Sequence, residues 1–201
     1  MSENAPASSP LGAEMTVEEW FDLPDEVEGE LVDGRLVEEE VPDLVHEVIV
    51  VWLARIVGEW ASVRGGIAGA SGVKYAVGPR GGRKPDFSIF LPGGAWPPPY
   101  GGVRVPPDIA VEIVSHGRRD RHRDRVEKYG EYASFGIKSY WIVDPASRTL
   151  EIFLLGDDGR YALAATRATG VLDAVPGCPE LVLDLDSLWS DVDRVARSGE
   201  S

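Results

Sequence analysis

The sequence predicts an α/β (α+β) fold, a central mixed β-sheet flanked by helices. First, short apolar runs with strand character alternate along the chain with longer stretches of helical periodicity. Second, the strand Asp108–Ser115, a helical stretch and the strand Ser139–Val143 form one crossover unit, which the right-handed crossover rule makes parallel. Third, 201 residues with polar ends suit one domain with a substantial core. The expected organisation is a disordered tail over 1–12, a single domain over 13–196 and a short C-terminal tail over 197–201.

Each element has a local reason. Ser, Pro and Ala dominate the first twelve residues, which lack the apolar content to pack. Thr16-Val-Glu-Glu19 has capping-box spacing and starts a short helix through Trp20 and Phe21. Glu30–Val37 reads as two short strands turning at Asp33-Gly34. Val45, Ile49, Trp52, Ile56 and Trp60 repeat at helical spacing, and Gly65-Gly66 ends that helix. Val73–Val77 is a strand followed by a turn over Gly78–Gly82, and Phe87–Phe90 is another strand. Ten of the sixteen residues from Pro92 to Pro107 are Pro or Gly, which makes a long, stiff connection. After Asp108–Ser115 come a charged run and a helix through Val126, Tyr129 and Ala133, capped by Gly136. Ser139–Val143 and Leu150–Leu155 are strands joined by a turn at Asp144-Pro145, and a further strand lies near Tyr161. After a Pro176-Gly177 turn, a last helix covers Asp186–Ala196.

Composition excludes several functions. A net charge of −14 argues against a protein that coats nucleic acid nonspecifically, but not against a nuclease whose positive charge is local. One cysteine, Cys178, excludes an internal disulfide and a cysteine-clustered zinc site. No apolar run reaches the length of a membrane span and no leader-like N-terminus is visible, so the expected location is cytoplasmic with no membrane partner.

Glu112 is the most informative residue. Burying a carboxylate is costly unless it meets a metal, a cation or several donors, and Glu112 sits inside an otherwise apolar strand. Strand period puts Asp108, Ala110, Glu112 and Val114 on one face. A second acid, Asp86, follows Lys84-Pro85 and opens the strand Phe87–Phe90. Two acids on neighbouring core strands offer hard oxygen ligands on a rigid scaffold, as a divalent metal needs. The competing explanation makes Asp86 a turn residue and pairs Glu112 with an arginine.

Hydrolysis of a phosphodiester also needs a cation near the developing charge. The position two beyond Glu112 is Val114, so Lys128, on the next helix, is the candidate. Lys128 and Tyr132 are four apart and share a helix face, although spacing alone equally allows a solvated lysine. Arg118, Arg119, Arg121, Arg123 and Arg125 form either a phosphate-gripping patch or a solvated helix face. Glu30 is a third candidate acid, though taken alone it suits the surface. His46 starts a helix without a second histidine four residues on, so the two-histidine zinc helix is absent, and His46 is at most an accessory residue. No serine-hydrolase elbow and no phosphate-cradling glycine loop is present.

Glu30-Leu-Val-Asp-Gly34, His46, Pro85-Asp86, Glu112-Ile-Val-Ser115, Lys128-x-x-x-Tyr132, Gly136 and Tyr140-Trp-Ile-Val-Asp144, in that order, resemble the Uma-two restriction endonucleases. This is a bacterial group within the PD-(D/E)xK nuclease superfamily, and the similarity runs from about Thr16 to Trp189. The resemblance implies a restriction-endonuclease-like core, with Asp86 and Glu112 as ligands of Mg²⁺ (or Mn²⁺) and Ile113 adding its backbone carbonyl. It implies that Lys128 replaces the superfamily lysine missing at Val114, that Glu30 completes the site, and that DNA rather than RNA is the substrate. The rival reading is a catalytically inactive nuclease-fold module for binding or regulation, acting as a homodimer. A third is a metalloenzyme acting on a small phosphate ester.

Overall fold

A computed structural model describes residues 11–24, 26–39, 41–115 and 123–198. It is mixed α+β, with a central mixed sheet flanked by helices. Among the described residues, no helix is long and apolar enough to cross a membrane.

The N-terminal region builds a small four-stranded sheet. Helix α1 (Val17–Phe21) opens with the expected capping box, Thr16 and Glu19 exchanging hydrogen bonds. Strands β1 (Glu30–Val32) and β2 (Arg35–Val37) turn at Asp33-Gly34, where both residues have positive φ.

Helix α2 (Leu44–Leu53) starts at Asp43, whose side chain accepts from the His46 N–H. It widens into a π-helical turn (Ala54–Gly58) and ends as α3 (Glu59–Val63). Strand β3 (Ile67–Ala70) follows directly and was not expected: Ile-Ala-Gly-Ala is too small and too exposed to carry an apolar strand signal. Strand β4 (Tyr75–Gly78) and strand β5 (Gly81–Arg83) correct a second expectation, because the turn is confined to Pro79-Arg80 and the residues after it form a strand. The small sheet has the order β2-β1-β5-β4. Gly82 has no side chain because the Trp20 ring lies where one would be, 2.4 Å from the ideal Cβ position.

The main sheet adds β6 (Phe87–Phe90), β7 (Ile109–Ile113), β8 (Ser139–Asp144), β9 (Thr149–Leu155) and β10 (Tyr161–Arg167), in the order β10-β9-β8-β7-β6-β3. As the crossover rule requires, β7 and β8 are parallel, and every other neighbouring pair is antiparallel. The crossover helix starts as a π-helical turn (Arg123–Lys128) and continues as α4 (Tyr129–Phe135), closed by Gly136 in the left-handed conformation. Val126 of that π-helical turn is exposed, whereas Lys128 and Tyr132 are buried. A short pair, β11 (Val171–Leu172) and β12 (Leu183–Asp184), leads into helix α5 (Leu185–Ser198).

Both faces of the main sheet are covered. Ile109, Val111, Ile113, Trp141 and Val143 pack against Ile49 and Leu53 of α2 and Leu188 and Trp189 of α5. On the opposite face Ala110, Val114, Tyr140 and Ile142 pack with Tyr132 of α4, Tyr75 and Tyr161. Strand period puts Glu112 on this second face, inside a core.

Candidate active site

Glu112 is only 2 % exposed, and both of its oxygens are used. Lys128 Nζ donates to Oε2 at 2.8 Å and the Tyr132 hydroxyl donates to Oε1 at 2.5 Å. The four-residue spacing of Lys128 and Tyr132 therefore does aim both at the sheet. Lys128 is 6 % exposed, which removes the solvated-lysine explanation, and the partner of Glu112 is this lysine rather than an arginine. Burial, followed by the nearby Glu112 and Glu30 carboxylates, pushes the Tyr132 hydroxyl well above its ordinary pKa, so it stays a donor.

Glu30 is buried on β1 rather than lying at the surface. Its Oε2 accepts from Arg83 at 2.8 Å, its Oε1 accepts from the Lys84 N–H at 3.1 Å, and Lys128 Nζ lies 3.5 Å from Oε1. Burial alone would raise its carboxyl, but Lys128 and Arg83 outweigh that and bring it down to about 2. Lys128 thus sits between two buried carboxylates, one on each sheet.

Asp86 lies just ahead of β6. Its Oδ2 accepts from the Ile113 N–H at 2.7 Å, and its Oδ1 lies 3.0 Å from His46 Nε2. The Ile113 contact sets this carboxylate against the residue that follows Glu112. Burial pulls the His46 imidazole down, yet the hydrogen bond and charge of Asp86, helped by Glu47, leave its pKa above the ordinary value. His46 Nδ1 is 3.4 Å from Glu47 Oε1 but makes no aligned hydrogen bond. The two acids are therefore braced from opposite faces of the sheet, Asp86 from α2 and Glu112 from the crossover helix.

Arg118, Arg119 and Arg121 lie outside the described residues, as does the side chain of Arg123. Of the five arginines, Arg125 is the one whose side chain is described. Its guanidinium closes on Glu151 of β9 and lies 3.9 Å from Asp144 of β8, where it neutralises both acids. A partly buried carboxylate left unpaired there would be costly.

Sequence reasoning missed four charged residues. Arg83 is fully buried and grips Glu131 through Nε at 2.5 Å and Nη2 at 2.9 Å, while Lys84 pairs with Glu39. Burial raises the Glu39 carboxyl above its ordinary value even though Lys84 draws it back. Arg83 carries no local signal, because the residues just before it, Gly78–Gly82, suit a turn. What could have revealed it is the pair Glu127 and Glu131, one helical turn apart and flanking Lys128.

Among the described residues, no three His, Cys, Asp or Glu side chains form a closed metal cage. Mg²⁺ does not require one, since it is commonly held by one or two carboxylates, with water and substrate phosphate completing its shell. Asp86 and Glu112 offer hard oxygens on neighbouring strands, with the Lys128 ammonium on Glu112.

A family model described as "Uma2: Putative restriction endonuclease" matches residues 17–186. A protein from Anabaena variabilis, whose crystal structure is described as that of "a putative nuclease", shares the fold with a TM-score of 0.69. The two are 18% identical, over 89% of this chain and 99% of that one. No curated protein matches the sequence.

Proposed function

The chain belongs to the Uma2 family, and from that premise we propose that it is a metal-dependent endonuclease hydrolysing DNA phosphodiester bonds. The observation that carries this reading is the buried Glu112, held by Lys128 and lying beside Asp86 at the end of β7.

In this scheme Asp86 and Glu112 would hold Mg²⁺ or Mn²⁺, with the Ile113 carbonyl as a further oxygen. A bound divalent ion supplies Lewis-acid polarisation of the scissile phosphate and a more acidic water. Lys128 presents its ammonium where negative charge develops on the phosphate oxygens, and that donor needs no reorganisation at the moment of reaction. Glu30 keeps a second anion beside this ammonium, Tyr132 fixes the rotation of Glu112, and His46 does the same for Asp86. Arg118, Arg119, Arg121, Arg123 and Arg125 would grip backbone phosphate. The cytoplasm, where DNA is accessible, is the proposed place of action.

The test is nicking of supercoiled plasmid in Mg²⁺ or Mn²⁺ by Asp86→Asn and Glu112→Gln, both near-isosteric. Each should lower cleavage by at least ~10²-fold while the far-ultraviolet spectrum is kept. Calorimetry should show metal binding in the wild type that is lost in Glu112→Gln, with titrations repeated in the presence of duplex. Wild-type cleavage in either variant would refute the assignment. One observation favours the rival reading, an inactive binding or regulatory module that works as a homodimer: both Glu112 oxygens are already satisfied from within the chain. That reading predicts duplex affinity without cleavage in any metal.

A further inference from the structure

Arg83 has no task in the scheme above, yet no other charged side chain among the described residues is so completely enclosed: it is 0 % exposed. Its fork reaches Glu131, its Nη2 lies 3.6 Å from Glu127, and its Nη1 donates to Glu30. Glu127 and Glu131 are one helical turn apart, and Lys128 is the next residue after Glu127. Two hydrogen bonds to Glu131 and a longer ion pair to Glu127 constrain the turn that carries Lys128.

Lys128 ends a π-helical turn, where the backbone ladder departs from regular α geometry. Its stem is flexible, whereas a guanidinium fork is planar and fixes the orientation of what it holds. The same fork also immobilises the second anion near Lys128. Glu30 is tied by Arg83 at Oε2 and by the Lys84 N–H at Oε1, the oxygen that faces Lys128 Nζ.

We propose that Arg83 is a positioning residue: through Glu131, Glu127 and Glu30 it holds the Lys128 ammonium in the site independently of Glu112. The functional weight of this rests on Lys128 being the cation of the reaction, while the placement itself can be tested without substrate or metal.

The experiment is competitive acetylation of the lysines at fixed pH, read by mass spectrometry. Lys138, 72 % exposed, serves as the reference within the same molecule. In the wild type Lys128 should label far more slowly than Lys138. Glu112→Gln should leave that protection in place. Arg83→Met should raise the Lys128 to Lys138 ratio by about tenfold, the change in population that ~1.4 kcal/mol produces. Arg83→Lys and Glu131→Gln should raise it less.

Arg83→Met removes a buried charge and its fold is at risk, so Glu131→Gln, at the more exposed end of the fork, carries the test if it fails to fold. A matched cleavage assay should show a lower kcat with unchanged KM in Glu131→Gln, and a higher kcat for Arg83→Lys than for Arg83→Met. Unchanged Lys128 labelling in folded Glu131→Gln and Arg83→Lys would overturn the proposal. So would Glu112→Gln exposing Lys128 as fully as Arg83→Met does.

Discussion

Replacing Glu30 with glutamine asks how much of this fold depends on one ionised carboxylate. Glu30 is enclosed on β1, with Arg83 on one oxygen and both the Lys84 N–H and Lys128 facing the other. Its carboxyl sits at about 2 against an ordinary 4.5. At 1.36 kcal/mol per pH unit, that gap is worth roughly 3 kcal/mol of stability. Because the folded value is depressed, the contribution is complete above 4.5 and is lost as pH falls toward 2. Glu30→Gln should therefore cost roughly 3 kcal/mol at pH 7 but only about 2 kcal/mol at pH 3.5, where part of the wild-type advantage has gone. Urea unfolding followed by circular dichroism at pH 7, 4.5 and 3.5 measures both numbers. The reasoning fails if the variant is as stable as the wild type at pH 7, or if the difference does not shrink below pH 4.5.

Tyr132→Phe removes the donor to Glu112 but keeps the ring edge-on to Tyr140, so it should cost ~2 kcal/mol, the value of a hydrogen bond to a charged group. Equal melting curves for wild type and variant would contradict that. His46 should titrate above 6.5, and because its folded value is raised, the stability it lends is complete below 6.5 and declines as pH rises through the folded value. An imidazole titration by NMR reads the midpoint directly. It should drop in Asp86→Asn, and a wild-type midpoint below 6.5 would rule the explanation out.

The parts of the fold that were legible in the sequence are those where one residue pattern has one physical solution. The Asp33-Gly34 turn, the Thr16 capping box and the parallel β7–β8 pair are of this kind. Strands β3 and β5 were not legible, because Gly-rich and small-residue strands are stabilised by their neighbours rather than by their own side chains: β3 leans on β6, and β5 on Trp20. Within the site, Glu112 was visible because a carboxylate in an apolar strand demands an explanation. Lys128 could be nominated from helical spacing, but only tertiary structure could choose between core and solvent. Arg83 was invisible because its partners come from residue 30 and from residues 127 and 131, separations that no local pattern encodes.

The bracing of the two acids from opposite faces has a mechanical consequence. The main sheet carries both acids, and a separate jaw of the vice closes on each: α2 on Asp86 and the crossover helix on Glu112. A core substitution on the α2–α5 side, at Ile49 for instance, is expected to reach Asp86 through His46. One around Tyr140 or Tyr161 is expected to reach Glu112 through Tyr132. Core substitutions far from the site are therefore expected to fall into two classes, according to which carboxylate's brace they loosen.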